Sequence, residues 1–462
     1  MGASIEGWIG FPAPGRTGCD TILPRAPKPS CEMSIRDADT LTRVKAFVTN
    51  PIALWAGFVL VHVWLGLLAL YAPGQPIGDV TTTYKFWIVD YAFQGHGWVG
   101  IDTVWVYPIL ALVPMVAAAA LGPDLYASTW LSLVMVFDAL AFAVVIAAGR
   151  VQGARAAGWW WLGFLVALGP VAVGRIDSIT VPLALVGMIV LVARPALATV
   201  LLTLAAWVKV WPAALVAAAV VALRARARVV AAAGATSVVV LIVALALGAG
   251  GNAFSFITQQ TGRGLQIEAV IATPWMWDAA FGSGASRVYY DASILTFQLQ
   301  GEGVHIAAAI ATPLLALAAL ALLGLGALAV RRGRQPGDVL PPLVLALTVA
   351  MILFNKVGSP QFVGWLAVPI LYGLIAHASG RGGSFRVPAA LVFVIAGLTQ
   401  VFYPYLYHEV IAAHVPIVIV LTVRNLLYIV LFAWAVAALL ETARRVPLDE
   451  RLREPAVVRA VA

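Results

Sequence analysis

Cysteine is almost absent from this chain. The 462 residues contain two, Cys19 and Cys31, which is too few for a disulfide framework and provides no cysteine-based metal site. Charge is also scarce: Asp, Glu, Lys and Arg make up 11% of the residues, against about a quarter in ordinary soluble domains. Hydrophobic residues reach 62% and the mean hydropathy is +0.95, which excludes a soluble globular protein. His305, His408 and His414 are scattered without the paired spacing of metal ligands. No phosphate-binding glycine loop or dinucleotide fingerprint occurs, which argues against nucleotide-driven chemistry. The 29 Lys and Arg exceed the 21 Asp and Glu, but they sit in short hydrophilic connections rather than in a patch interleaved with aromatics. That pattern excludes a nucleic-acid footprint. The N-terminus lacks a short apolar segment followed by a small-residue cleavage site, so the first hydrophobic stretch reads as an uncleaved anchor. Residues 1–32 are rich in Gly and Pro, and Met33 is an alternative start.

What the chain has in quantity is apolar stretches of around 20 residues, each enough to cross about 30 Å of hydrocarbon. They fall at about 50–72, 106–121, 126–149, 157–174, 179–193, 197–223, 229–249, 305–330, 339–355, 361–378, 387–403 and 416–440. The fold class expected is an all-α polytopic membrane protein with about twelve transmembrane helices. The arginine clusters at 224–228, 331–334, 381–386 and 444–445 follow even-numbered spans, which places them and both termini in the cytoplasm. Two long loops, about 73–105 and 250–304, then lie outside the cell membrane. By the same count Arg150 and Arg155 face outward and Arg175 inward. Residues 1–48 are expected to be a polar, disordered cytoplasmic segment, 49–440 the transmembrane domain and 441–462 a cytoplasmic tail. The 197–223 stretch carries Lys209 and Pro212, which predicts a break there. No internal repeat of the inverted-transporter kind is visible.

In so apolar a chain the polar positions carry the information, because a charge at mid-bilayer costs about 2.5–3.5 kcal/mol. Asp79, in Gly78-Asp79-Val80, sits just beyond the first span. A carboxylate there suits a general base that takes the proton of an attacking hydroxyl, or it caps the helix that follows. Tyr84, Trp87, Tyr91, Trp98, Trp105 and Tyr107 read as an interfacial aromatic belt. Asp138 lies inside the third stretch. Arg175 and Asp177 form either a neutralised pair joining helices or part of a polar cavity. Lys209, between Trp207 and Trp211, either snorkels or offers a cation to a phosphate. Arg263, on a turn flanked by Gly262 and Gly264, presents the forked donors that fit phosphate oxygens. Glu268 can pair with Arg263 or with Lys209, and Gln266 stands two residues before it. Lys356, Ser359 and Gln361 cluster at the junction of the ninth and tenth spans. Two lysines and an arginine in the outer half of the membrane suit the phosphate of an anionic lipid.

These motifs, Gly78-Asp79-Val80 with Tyr84 and Trp87, Tyr107-Pro108, Gly174-Arg175-Ile176-Asp177, Lys209-Val210-Trp211-Pro212, Arg263-Gly264-Leu265-Gln266-Ile267-Glu268 and Lys356-Val357-Gly358-Ser359-Pro360-Gln361, run in one order over about residues 48 to 440. In that order the chain resembles actinobacterial members of glycosyltransferase family 87, the polyprenol-phosphate-mannose-dependent mannosyltransferases of the GT-C fold. The resemblance implies a hexosyltransferase with Asp79 as general base and with Arg263, Lys209 and Lys356 at the donor phosphate. It further implies a polyprenyl-phosphate-sugar donor and inverting transfer to a cell-envelope glycolipid or glycan outside the cytoplasmic membrane, with no metal or cofactor required. Tyr107-Pro108-Ile109 carries one proline where the family usually has consecutive ones. The alternatives are a related enzyme using lipid-linked arabinose or another sugar, a flippase of lipid-linked sugars, and a non-enzymatic assembly subunit.

Overall fold

The computed structural model describes residues 48–148, 155–282, 284–292 and 294–444. Cys19, Cys31, Met33, Arg150 and Arg445, and with them the readings for the first 47 residues and for the tail beyond Arg444, lie outside the described residues. The chain is mostly helical, because in hydrocarbon each backbone N–H and C=O has to be bonded within its own segment. In chain order the helices of the first part are α1 Pro51–Tyr71, α2 Leu112–Ala118, α3 Tyr126–Ala148, α4 Arg155–Leu168, α5 Asp177–Val190, α6 Pro195–Val208, α7 Ala213–Ala222, α8 Arg226–Ala246, α9 Ser255–Thr261 and α10 Thr273–Ala280. An antiparallel hairpin follows, β1 Ser286–Asp291 and β2 Thr296–Gly301, with Ser286 opposite Gly301 and Asp291 opposite Thr296. The last part comprises α11 Val304–Arg331, α12 Pro336–Leu353, α13 Ala367–Ala378 entered through a 3-10 turn at Pro360–Leu366, α14 Arg386–Phe402, α15 Tyr407–Ile411 and α16 Val415–Arg444.

Among the described residues seven helices are long and apolar enough to cross a membrane, namely α1, α3, α8, α11, α12, α16 and the continuous Pro360–Ala378 segment, and the shorter apolar segments Ile109–Ala118, α5, α6, α7 and α14 accompany them. Burial ranks the seven. The α12 and Pro360–Ala378 windows are 78% and 72% buried and form the centre, whereas the other five are 17–39% buried and keep apolar faces outward, as lipid-facing helices do.

Two of the expected stretches depart from a single long helix. The apolar turn and helix at Ile109–Ala118 reach only about 15 Å at 1.5 Å per residue. They turn back at once, and the Tyr126 hydroxyl at the start of α3 donates to the Met115 carbonyl at 2.9 Å. The 197–223 stretch is broken at Lys209, which is extended (φ −151°, ψ 132°), just before Pro212, whose missing N–H cannot continue the α6 ladder.

The short α2 hairpin reverses the sidedness expected between 121 and 200. Because it does not cross, α3 leaves from the same end as the first loop, and α4 returns to that end. At the opposite end the Arg155 guanidinium donates to the Thr49 carbonyl at 2.7 Å, and Trp159 Nε1 donates to the Val48 carbonyl at 3.0 Å, so the start of α4 lies beside the start of α1. Arg175, expected on the inner side, instead lies 3.2 Å from Asp79 of the first loop. Arg155, expected to face outward, sits at the far end.

Inside the bundle His62 of α1 and Asp138 of α3 are both buried. The imidazole Nε2 is 3.1 Å from the carboxylate, and Nδ1 lies 2.9 Å from the Phe58 carbonyl. The carbonyl can only accept, so Nδ1 donates to it and Nε2 is left facing the carboxylate. Replacing His62 with Leu leaves the carboxyl without its partner, a loss of about 1–3 kcal/mol. The thermal unfolding midpoint of His62→Leu is expected to fall, and that of Asp138→Asn, which keeps a polar partner for the ring, to fall less.

Candidate active site

The first loop begins with a sharp turn, in which Gly74 adopts φ +85° and an added Cβ would meet the Pro404 carbonyl at 2.5 Å. This packs the loop on the residues ahead of α15 and α16. The chain then enters two short π-helical turns, Asp79–Tyr84 and Phe86–Ala92. Gly78 holds the cap position without a side-chain cap bond. The Asp79 carboxylate therefore does not cap the helix and is directed to Arg175. It is 41% exposed, while Arg175 is 7% exposed.

Arg175 is fixed on every side. It donates to the Gly174 carbonyl at 3.1 Å and to the Tyr403 hydroxyl, and its guanidinium lies 5.3 Å from the Tyr403 ring centre. Two residues later Asp177 opens α5, 2% exposed. It accepts from Lys209 Nζ at 3.0 Å and from Trp365 Nε1 at 2.6 Å. The neutralised Arg175–Asp177 pair open in the sequence is thus two pairs, Arg175 with Asp79 and Lys209 with Asp177. Lys209 does not snorkel: the break after α6 turns it inward, 5.1 Å from the Tyr107 ring centre and 5.6 Å from that of Phe362.

The aromatic residues divide. Tyr84 and Trp105 are buried, which an interfacial belt does not require. The Tyr84 hydroxyl accepts from the Ile176 N–H at 3.2 Å and is hydrogen-bonded to Tyr107, and burial holds its pKa well above the ordinary value. Trp87 packs edge-on against Trp105 and Tyr107, at 5.5 and 6.1 Å between ring centres. Tyr107, the ring that Lys209 faces, also lies within electrostatic reach of Arg175 and Arg263.

Arg263 and Lys356 come from irregular segments. Burial, then the nearby Arg263 charge, holds the Lys356 ammonium below its usual range. Among the described residues Arg263 Nε is buried without a hydrogen-bond partner. Gln266 contributes through its backbone, its N–H donating to the Lys356 carbonyl at 3.0 Å, and it bridges to Gln298 of β2. The Ser359 hydroxyl donates to Gln361 Oε1 at 2.5 Å. Gln361 lines, with Asp138, Asp177 and Ser178, a cavity of ≈ 20 Å³, room for about one water.

Glu268 pairs with neither Arg263 nor Lys209. Its partner is Arg424, buried in α16, 3.6 Å from the carboxylate, and it is also hydrogen-bonded to Tyr407. Arg424, Tyr403, Tyr407 and His62 escape the sequence reading, although Arg424 is a charge inside an apolar stretch and so carries the signal that singles out Asp138. Burial, opposed by Arg424, pushes Glu268 up to about 7. A carboxyl raised in the folded state stabilises the fold while protonated, and that contribution is lost as pH rises from the unfolded value near 4.5 through about 7. It amounts to about 3 kcal/mol. The unfolding midpoint is expected to drop between about pH 5 and about pH 8, with a shallower slope in Glu268→Gln.

Residues 105–287 match the model of glycosyltransferase family 87, which indicates a glycosyltransferase activity. The match covers less than half of the chain and is narrower than the resemblance over residues 48 to 440. It contains Tyr107, Arg175, Asp177, Lys209, Arg263, Gln266 and Glu268, and it leaves out Asp79, Tyr84 and Trp87 on one side and Lys356, Ser359 and Gln361 on the other. No curated protein and no solved structure matches the chain.

Proposed function

We propose that this membrane-embedded glycosyltransferase moves mannose from a polyprenyl-phosphate-mannose donor to a cell-envelope glycolipid or glycan on the outer face of the plasma membrane, forming an α-mannosidic bond. The observation that carries the reading is the pairing of a half-exposed carboxylate, Asp79, with a buried Arg175, next to Lys209, Arg263 and Lys356 at the loop end of an apolar bundle. A polyprenyl chain lies in the bilayer with its phosphate at the surface, and cations at the loop end of the bundle suit that phosphate. The arginine-rich connections lie at the other end, and the positive-inside rule supports an outward-facing site.

In the proposed step the acceptor hydroxyl loses its proton to an Asp79 carboxylate oxygen, and its oxygen attacks the anomeric carbon. The bond from that carbon to the phosphate oxygen breaks, and its electron pair leaves with the polyprenyl phosphate. Charge grows on the departing oxygen, and cations held in place beforehand stabilise it without reorganising, usually the largest contribution to catalysis. Arg175 orients Asp79, Asp177 orients Lys209, and the Trp87 and Tyr107 rings, set edge to face, offer apolar contact to a sugar.

The test is transfer by purified protein in nanodiscs, with a membrane lipid extract as acceptor and radiolabelled polyprenyl-phosphate-mannose, lipid-linked arabinose or a nucleotide-linked mannose as separate donors. Mannosylated lipid from the lipid-linked donor alone is expected. Product from the nucleotide sugar alone, or from lipid-linked arabinose alone, overturns the donor assignment. Movement of the lipid-linked sugar across a bilayer without a new glycosidic bond overturns the enzymatic one.

A further inference from the structure

The cations of the site are held in two different ways. Arg175 and Lys209 each have a carboxylate partner beside regular helix, Asp79 and Asp177. Arg263 and Lys356 belong to segments without regular structure, 262–269 and 355–359, and ordering such backbone costs about 1–2 kcal/mol per residue. Something has to hold these two segments in register.

The contacts around Glu268 do so. The Gln266 N–H donates to the Lys356 carbonyl at 3.0 Å, and the Leu299 N–H of β2 donates to the Leu265 carbonyl at 2.9 Å. Gly358 passes so close that an added Cβ would strike the backbone of Glu268 and Ala269. From the opposite side Arg424 Nη2 donates to the Glu268 carbonyl at 2.8 Å. Its neighbours on α16 extend the row: Asn425 Nδ2 donates to Thr273 Oγ1, and Trp277 Nε1 donates to Thr422 Oγ1, both at 2.9 Å. Arg424 is 2% exposed, its guanidinium lies 5.1 and 5.5 Å from the ring centres of Phe402 and Tyr428, and Asn425 Oδ1 accepts from its Nε and Nη2. A buried guanidinium in an apolar helix is costly. Apart from Asn425 beside it, the hydrogen bonds and ion pair of this one among the described residues go to Glu268, and the bond to the backbone carbonyl does not depend on the charge of the Glu268 side chain.

We propose that Arg424 is a positioning residue: by fixing the Glu268 backbone against Gly358 it sets the register of segments 262–269 and 355–359, and so places Arg263 and Lys356 for a lipid phosphate. The inference rests on the donor assignment made above. Arg424 itself does not touch the substrate.

The test uses the full-length protein in nanodiscs, with polyprenyl phosphate alone as the probe and amide hydrogen exchange as a second readout. In Arg424→Gln, exchange is expected to rise at 263–269 and 356–359 but not in α1 or α8, and affinity for polyprenyl phosphate to fall by about tenfold to a hundredfold. Arg424→Lys, which can still reach the carbonyl, is expected to recover part of the affinity. Gly358→Ala presses on the same backbone from the other side and is expected to reproduce both effects, which keeps the proposal testable where Arg424→Gln fails to fold. Unchanged exchange at 263–269 overturns the anchoring. Raised exchange with unchanged affinity overturns the positioning role alone. Failure of the wild-type protein to bind polyprenyl phosphate overturns the donor assignment, which the exchange data do not depend on.

Discussion

Asp79→Asn is expected to lower the transfer rate by about 10²–10⁴-fold, the usual worth of a positioned general base. The substitution is nearly isosteric, and Arg175 keeps the Gly174 carbonyl and the Tyr403 hydroxyl as acceptors, so the variant should fold and insert as the wild type does. Because the loss falls on the reacting hydroxyl and not on the donor phosphate, kcat should fall while the donor KM stays close to its wild-type value. Initial rates at several donor concentrations separate the two. A variant with near wild-type kcat removes Asp79 from the mechanism.

The second large effect concerns Asp177. Its carboxylate is the buried partner of Lys209 and also accepts from Trp365. Removing one member of such a pair strands a charge in a low-dielectric interior and costs about 3–5 kcal/mol. Asp177→Leu is therefore expected to unfold at a clearly lower temperature in detergent and to lose activity. Removing both charges is different, because replacing a buried pair by apolar groups of similar size is often neutral. The double variant Asp177→Leu with Lys209→Met should regain most of the thermal stability and remain inactive. Recovery of activity along with stability would mean that Lys209 serves the fold and not the donor.

Much of this arrangement is legible in the sequence because hydrocarbon imposes a length and a composition on every crossing segment. The apolar stretches at 50–72, 126–149, 229–249 and 416–440 coincide with α1, α3, α8 and α16 for that reason. The break at Lys209 is legible too, since Pro212 ends the helix locally. Direction is not. Whether Ile109–Ala118 crosses or turns back depends on a few residues of length, and an error there reverses every assignment up to the next correction, as it does for Arg155 and Arg175. Pairing is the other gap. Asp79, Arg175, Asp177 and Lys209 stand out singly as charges near an apolar bundle, but which carboxylate meets which cation is decided by how α4, α5 and α6 pack. Glu268 illustrates the limit, because its partner Arg424 lies 156 residues away inside a stretch read only as a span. The aromatic run from Tyr84 to Tyr107 looks the same on paper whether it floats at an interface or lines a site. Only the burial of Tyr84 and Trp105 distinguishes the two.

The stereochemistry of the product tests the central claim most directly. A single displacement, with Asp79 taking the proton of the acceptor hydroxyl, inverts the anomeric centre, whereas a carboxylate acting as nucleophile would form a glycosyl-enzyme and retain it. Wild-type protein in nanodiscs supplied with β-linked polyprenyl-phosphate-mannose is therefore predicted to yield an α-linked mannoside, read from the anomeric proton–carbon coupling of the isolated lipid. A β-linked product, or a mannosylated Asp79 trapped in the protein, would contradict the account.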